Sequence, residues 1–318
     1  MSDAPRCPVP FVHRRRARPL PPHADVAKHI AGLDAERDAL QIVTLLAMHE
    51  FPWDIVRAHE LALFHTYGSR SVSTVLDRTG EFRKRGQKRY DDTRLLIGHI
   101  LESGLGTDDN DDDNVGRRAL RQMNHIHSFY KISNDDYRFV LWTFIDFPIV
   151  WLKRYGRRAF TAHEERAWFN GWIEIGRQMG MTDLPVDKAA FDAFVDAYEQ
   201  REFVPCAASR NIADATIGVM QAWLPKPLRG SVVPVASCLM RPRLREALGY
   251  ATPPSWLSTS IDLALRVRAR FKRVLSFEKH PAALSDAVNR TYPGNAYGIE
   301  QLGPEHAHRP SSSSSRQP

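Results

Sequence analysis

The chain has 318 residues, of which 43% are hydrophobic and 25% charged, a balance that supports a buried core and excludes collagen, low-complexity fibre and wholly unfolded classes. Lys and Arg number 44 against 37 Asp and Glu, for a formal net charge of +7; the excess is scattered, and no zinc finger, RNP-type strand or basic zipper accompanies it, so nucleic acid is not the expected partner. Cys7, Cys206 and Cys238 are too far apart for a Cys-x-x-Cys metal pair and odd in number, which argues against a disulfide framework and points to a reducing, cytoplasmic setting.

Residues 1–24 form a Pro-rich arm around Arg14, Arg15, Arg16 and Arg18, a composition that buries too little apolar surface to offset ordering entropy and is expected to be disordered. The arginines run into Ala-Arg-Pro-Leu-Pro-Pro-His rather than an apolar stretch, so the arm does not read as an export signal. Helical periodicity then dominates, with helices expected over 39–48, 54–64, 91–101 and 117–130. The Asp108 to Asp113 stretch lacks the Gly and Glu of a calcium loop at its sixth and twelfth positions, which hold Asp113 and Ala119; it reads as a solvated loop that precedes a helix beginning near Val115.

The most apolar run, Phe139 to Leu152, is interrupted by Asp146 and Pro148 and falls short of the roughly 20 residues of a bilayer span. It reads as a buried core helix, and no transmembrane segment is expected. In Thr161 to Gly180, Trp168, Trp172, Ile175 and Met179 share one helical face, Thr161 and Glu164 form a capping box, and Gly180 is a stop. Phe191, Phe194, Val195 and Tyr198 mark the next helix, and 258–271 a last one. Ser231 to Ala236 is the one β-branched run, a short strand candidate. From about 306 the chain becomes a Ser-rich tail that is expected to be disordered. The class is mainly α, and with no repeat or Gly/Ser linker between 25 and 305 a single large helical domain is expected.

Thirteen histidines invite a metal reading, but His49-Glu50 and His59-Glu60 are followed by Trp53 and Leu63 where a His-Glu-x-x-His zinc motif needs its second histidine. Gly-x-Ser-x-Gly, Gly-x-x-x-x-Gly-Lys and Gly-x-Gly-x-x-Gly are absent too, which removes the common hydrolase, NTPase and dinucleotide signatures. His125 and His127 lie two apart on one helix and so point in different directions. His127 shares the apolar stripe of Leu120, Met123 and Asn124, whereas His125 sits with Arg118, Arg121 and Gln122; His127 therefore points inward. A lone inward histidine is in general a hydrogen-bonded core residue more often than a ligand. Arg117, Arg118 and Arg121 are in general solvent or ion-pair residues, and they also suit bidentate pairing with the carboxylates of a bound cofactor. Asn134, Asp135 and Asp136 precede an apolar helix and read first as caps, and Arg158 with Glu164 as a structural ion pair or cap.

Several stretches in this order and spacing resemble one family: Phe51-Pro52, Thr79-Gly-Glu-Phe82, Lys88-Arg-Tyr-Asp-Asp-Thr93, Met123-Asn-His-Ile-His-Ser-Phe-Tyr130, Ile132-Ser-Asn-Asp-Asp136-Tyr, Gly156-Arg-Arg158, the Trp172 to Gly180 helix, Tyr198-Glu199 and Tyr292-Pro-Gly294. The chain, over about residues 40–305, looks like the MpaB and rubber oxygenase catalytic-domain family. That resemblance implies a globin-like helical core, one haem b, and O2-dependent oxidation of a C=C bond in a hydrophobic, prenyl-like substrate, the iron doing the oxygen chemistry and the protein supplying an axial ligand, carboxylate partners and a dry pocket. Many members carry a proximal histidine on the aromatic helix where Phe144 stands here. The resemblance then makes His127 the first candidate for the iron, with His125 second and His65 and His99 in reserve, and Arg117 and Arg121 candidates for the propionates. The alternative is a cofactor-free binding or accessory protein that keeps the fold. Weak peripheral contact of the basic arm with anionic lipid is a third option.

Overall fold

Apolar residues recur at three- and four-residue spacing along most of the chain, and in the computed structural model, which describes residues 23–106, 114–274 and 289–308, they become thirteen α-helices with no strand among the described residues. In chain order these are α1 (His23–Ala31), α2 (Ala39–Leu45), α3 (Pro52–Thr66), α4 (Arg70–Thr79), α5 (Glu81–Ser103), α6 (Val115–Ser128), α7 (Asn134–Tyr155), α8 (Ala162–Gln178), α9 (Lys188–Glu202), α10 (Ala207–Ala222), α11 (Val232–Leu239), α12 (Pro242–Leu248) and α13 (Ser255–Val274). A π-helical turn, Leu46–Glu50, joins α2 to α3. The N-terminal arm, the acidic loop and the Ser-rich tail of the sequence reading lie largely outside the described residues.

Local chemistry sets the helix ends. Asn114 caps α6 by accepting from the Arg117 amide, and Thr161 with Glu164 makes the expected capping box on α8. At α7 the cap is Ser133, which accepts from the Asp136 amide, so Asn134, Asp135 and Asp136 occupy the first helical turn rather than the cap itself. Asn134 instead bridges to Thr182 through both of its amide atoms, at 3.0 Å each. The Ser231 to Ala236 run is not a strand. It spans the end of a 3-10 turn and the start of α11, where packing against α10 and α13 overrides β propensity.

Pro148 lies inside α7 and has no N–H to give the carbonyl four residues earlier. The Trp168 indole of α8 supplies the missing donor, reaching the Phe144 oxygen at 3.2 Å. α5 is bent at Arg85, whose backbone is non-helical, and that guanidinium is held by Glu81 and Glu305.

Two apolar clusters result. The larger gathers α1, α2, α3 and α5 to α9 around Trp168, Phe139 and Phe51; the smaller joins the end of α3, through Phe64 and Tyr67, to α10 and α12. Residues 289–308 fold back over α5 and α6. Tyr292 donates to Asp92 at 2.5 Å, Thr291 bonds Asp91, Arg118 pairs with Glu300 through two contacts of 2.8 and 2.9 Å, and buried Gln122 donates to the Leu302 and Ala307 carbonyls. Gln122 was expected on an outer face with Arg118 and Arg121; this returning segment covers that face. The last described stretch runs to His308, with Ala307 buried.

Candidate active site

Where α10 of the smaller cluster meets α3 to α8, the helices leave a cavity of about 270 Å³. Its walls follow helical spacing. From α3 come Val56, His59, Glu60 and Leu63; from α5 Arg89, Tyr90, Thr93 and Arg94; from α6 Met123, Ile126 and His127; from α7 Asp136, Tyr137, Val140, Leu141 and Phe144. Trp172 of α8 and Met220 of α10 close it. Such an apolar chamber with a few convergent polar groups is the usual form of a small-molecule site.

Two imidazoles reach this chamber. His127 packs edge-on to Tyr137 at 5.5 Å, and its Nδ1 is buried without a hydrogen-bond partner. Burial, with a smaller push from the Arg89 guanidinium, lowers its pKa to about 4. His59 is held among Phe144, Trp172 and Trp168 at 5.0, 5.5 and 6.0 Å, and its Nε2 is likewise buried and unpartnered. Burial lowers its pKa to about 3. Both rings are therefore neutral at neutral pH, the state in which an imidazole nitrogen binds a transition metal. Two buried nitrogens without partners, on two rings that line one apolar chamber, are unusual, because most buried polar atoms find partners.

The carboxylates of the chamber are held differently. Glu60 accepts from Tyr90 Oη at 2.6 Å and from Arg57 at 2.6 Å. Burial raises the Glu60 carboxyl, opposed by the Arg57 charge and the Tyr90 hydrogen bond, and burial with the Glu60 charge raises the Tyr90 phenol. Asp136 accepts from Tyr198 and Ser71 at 2.5 and 2.7 Å, and Ser69 joins Tyr198 at 2.7 Å. This set ties α4, α7 and α9 together behind the wall.

The other sequence candidates lie elsewhere. His65 is fully buried against Glu199 at 2.7 Å, ringed by Phe139, Phe147 and Phe203. His99 bonds Tyr297 Oη at 2.9 Å. His125 packs on exposed Phe129. Arg117 and Arg121 are not among the residues lining the chamber, since they stand on the flank of α6 turned from Met123 and Ile126. The cations that do line it are Arg89, which bonds Thr93, and Arg94. Arg158 pairs with Glu164 at 2.6 and 2.7 Å and with buried Glu50 at 2.9 Å, the structural ion pair expected. Among the described residues no group of three or more His, Cys, Asp or Glu could hold a metal ion by itself.

Sequence reasoning dismissed His59 and Glu60 as half a zinc motif and left Arg94 and Tyr90 unassigned. The stripe Val56, His59, Glu60 and Leu63 carried the signal, at intervals of three, one and three.

The donor set suits a haem: a neutral buried nitrogen, an apolar chamber and arginines for two carboxylates. Phe144, at the position expected for a proximal histidine, lies flat on Trp172 at 4.9 Å.

Residues 74–273 match the sequence model described as "ER-bound oxygenase mpaB/B'/Rubber oxygenase, catalytic domain". The chain is 30% identical over 272 residues to "ER-bound oxygenase mpaB'" of Penicillium brevicompactum, covering 79% of this chain and 62% of that protein. It is 31% identical over 236 residues to "ER-bound oxygenase mpaB" of Penicillium roqueforti, covering 68% and 76%. To "ER-bound oxygenase mpaB" of Penicillium brevicompactum it is 28% identical over 241 residues, covering 69% and 59%. The chain thus spans under two thirds of both P. brevicompactum relatives. His127 falls inside the matched span and His59 outside it. No helix among the described residues is long and apolar enough to cross a membrane.

Proposed function

The chain belongs to the ER-bound oxygenase mpaB/B'/rubber oxygenase catalytic-domain family, and on that premise we propose that it is a haem b-dependent oxygenase acting with O2 on a C=C bond of a hydrophobic, prenyl-like molecule. The observation that carries the reading is the orphaned Nδ1 of His127 in the wall of an apolar chamber. His127 is the residue that would hold the haem iron, its ring neutral because burial holds its pKa near 4. His59, whose Nε2 is equally unpartnered, is the proposed second imidazole of the site. Arg89 lines the chamber and takes precedence over Arg117 and Arg121 as partner for haem carboxylates. Bound haem would supply the activation of dioxygen. The chain's own work is to position and to dry. Val140, Leu141 and Trp172 offer an alkene apolar contact and exclude water, and Glu60 keeps a proton on Tyr90 Oη at the wall. We propose a cytoplasmic location, on the free thiols of Cys206 and Cys238.

The test is the absorption spectrum and pyridine haemochrome stoichiometry of protein produced with haem supplied. The expected result is a Soret band at about one haem per chain, lost in His127→Ala and kept in His125→Ala. Equal retention in both variants refutes the ligand assignment. No Soret band in the folded wild type refutes the haem reading and leaves the cofactor-free alternative, to which Phe144 stacked on Trp172 would then belong as chamber filling.

A further inference from the structure

α13 buries one side against α11 and α7 and leaves a greasy side in water. Trp256 is 67% exposed, Leu263 59%, Val267 37% and Phe271 64%. These four positions, spaced seven, four and four, form one stripe roughly 22 Å long at 1.5 Å per residue. Scattered exposed apolar residues are ordinary, but two aromatics and two aliphatics on a single solvent-facing stripe are not.

The charge beside the stripe says what it suits. α13 carries Arg266, Arg268, Arg270, Lys272 and Arg273 against a single acid, Asp262. Asp262 is already bridged to Arg154 and Arg266, at 2.6 and 2.7 Å. Arg268 turns to the protein, pairing with Asp54 and stacking on Trp53 at 3.5 Å. Arg266, Arg270 and Arg273 are exposed and flank the stripe along one edge. A helix lying with Trp and Phe directed one way and arginines beside them has the form of an interfacial helix, aromatic rings at headgroup depth and guanidiniums on lipid phosphates. A protein partner would not need one-signed charge along the stripe; an anionic bilayer surface does.

We propose that the exposed face of α13 docks this protein on an anionic lipid surface, as a peripheral and reversible contact. The proposal stands whether or not the chamber holds haem, since it draws on no chamber residue.

The experiment is co-sedimentation of the full chain with phosphatidylcholine vesicles, with and without phosphatidylserine. The expected result is binding to the phosphatidylserine vesicles that weakens as salt rises. The double variant Trp256→Ser/Phe271→Ser should bind at least about tenfold more weakly, and Arg270→Glu/Arg273→Glu should lose the preference for phosphatidylserine. Both replace solvent-exposed side chains, and an unchanged circular dichroism melt verifies the fold. Wild-type binding by the aromatic double variant overturns the proposal, because lipid contact then lies elsewhere, as on the basic arm. Absence of binding by the wild type also overturns it, as does a concentration-dependent dimer in lipid-free solution that the aromatic variant abolishes, which would make the stripe a self-association face.

Discussion

Replacing His127 by Phe should make the protein more resistant to acid. The folded pKa of His127 is about 4 against an ordinary value of 6.5, a depression caused first by burial and second by Arg89. Above pH 6.5 the imidazole is neutral in both folded and unfolded chains and contributes nothing to pH dependence. As pH falls through 6.5 the unfolded chain takes up a proton that the folded one refuses, so stability drops, and the drop is complete at the folded pKa. The interval of about 2.5 pH units corresponds to about 3 kcal/mol lost by pH 4, at about 1.36 kcal/mol per unit. Phenylalanine occupies similar volume beside Tyr137 and does not titrate. Urea unfolding of haem-free wild type and His127→Phe at pH 7 and pH 4 gives the comparison, in which the other titrating groups cancel. The variant should lose about 3 kcal/mol less than the wild type on acidification. If the two lose the same amount within about 0.5 kcal/mol, His127 protonates as a solvated ring does, and the argument for a neutral nitrogen in a dry chamber fails.

Gly116→Ala should cost about 2–4 kcal/mol despite the better helix propensity of Ala, because its Cβ would lie 2.0 Å from the Gly104 carbonyl oxygen, a backbone atom that cannot swing aside. Gly218→Ala, on the exposed side of α10 with nothing within 4 Å, should stabilise by about 0.5–1 kcal/mol, and thermal melts of the pair give the contrast. Gln122→Ala removes the donor to two buried carbonyls, those of Leu302 and Ala307 at 2.8 and 3.0 Å, for a loss of about 1–3 kcal/mol; limited proteolysis should then cut within 289–308 faster than in the wild type.

The helices were legible where one side of a segment faces the core, as in the Trp168 and Trp172 face of α8 and its capping box, because that pattern is local. The direction of His127 was legible for the same reason. Whether a second histidine shares its chamber was not, since His59 sits on a different helix and only tertiary packing brings Phe144 and Trp172 around it. The outward reading of Gln122 failed through distance along the chain: its partners are about 180 residues away. Adjacency to His127 in sequence points to Arg117 and Arg121, whereas the arginines that line the chamber come from α5. In the same way the motifs 88–93 and 292–294, unrelated as text, are one hydrogen-bonded unit through Asp92 and Tyr292. α10 carries a helical signal of its own in Ile212, Thr216, Met220 and Trp223, spaced four, four and three.

The returning segment also ties together parts of the chain that lie far apart in sequence. α5 and α6 are close neighbours along the chain, but the contacts that clamp the outer side of α6, Arg118 to Glu300 and Gln122 to Leu302, join residues 182 and 180 positions apart. Closing so long a loop costs chain entropy that is recovered only when most of the helices in between are already in place. The wall bearing His127 therefore takes its outer support from the far end of the chain, through Arg118 and Gln122.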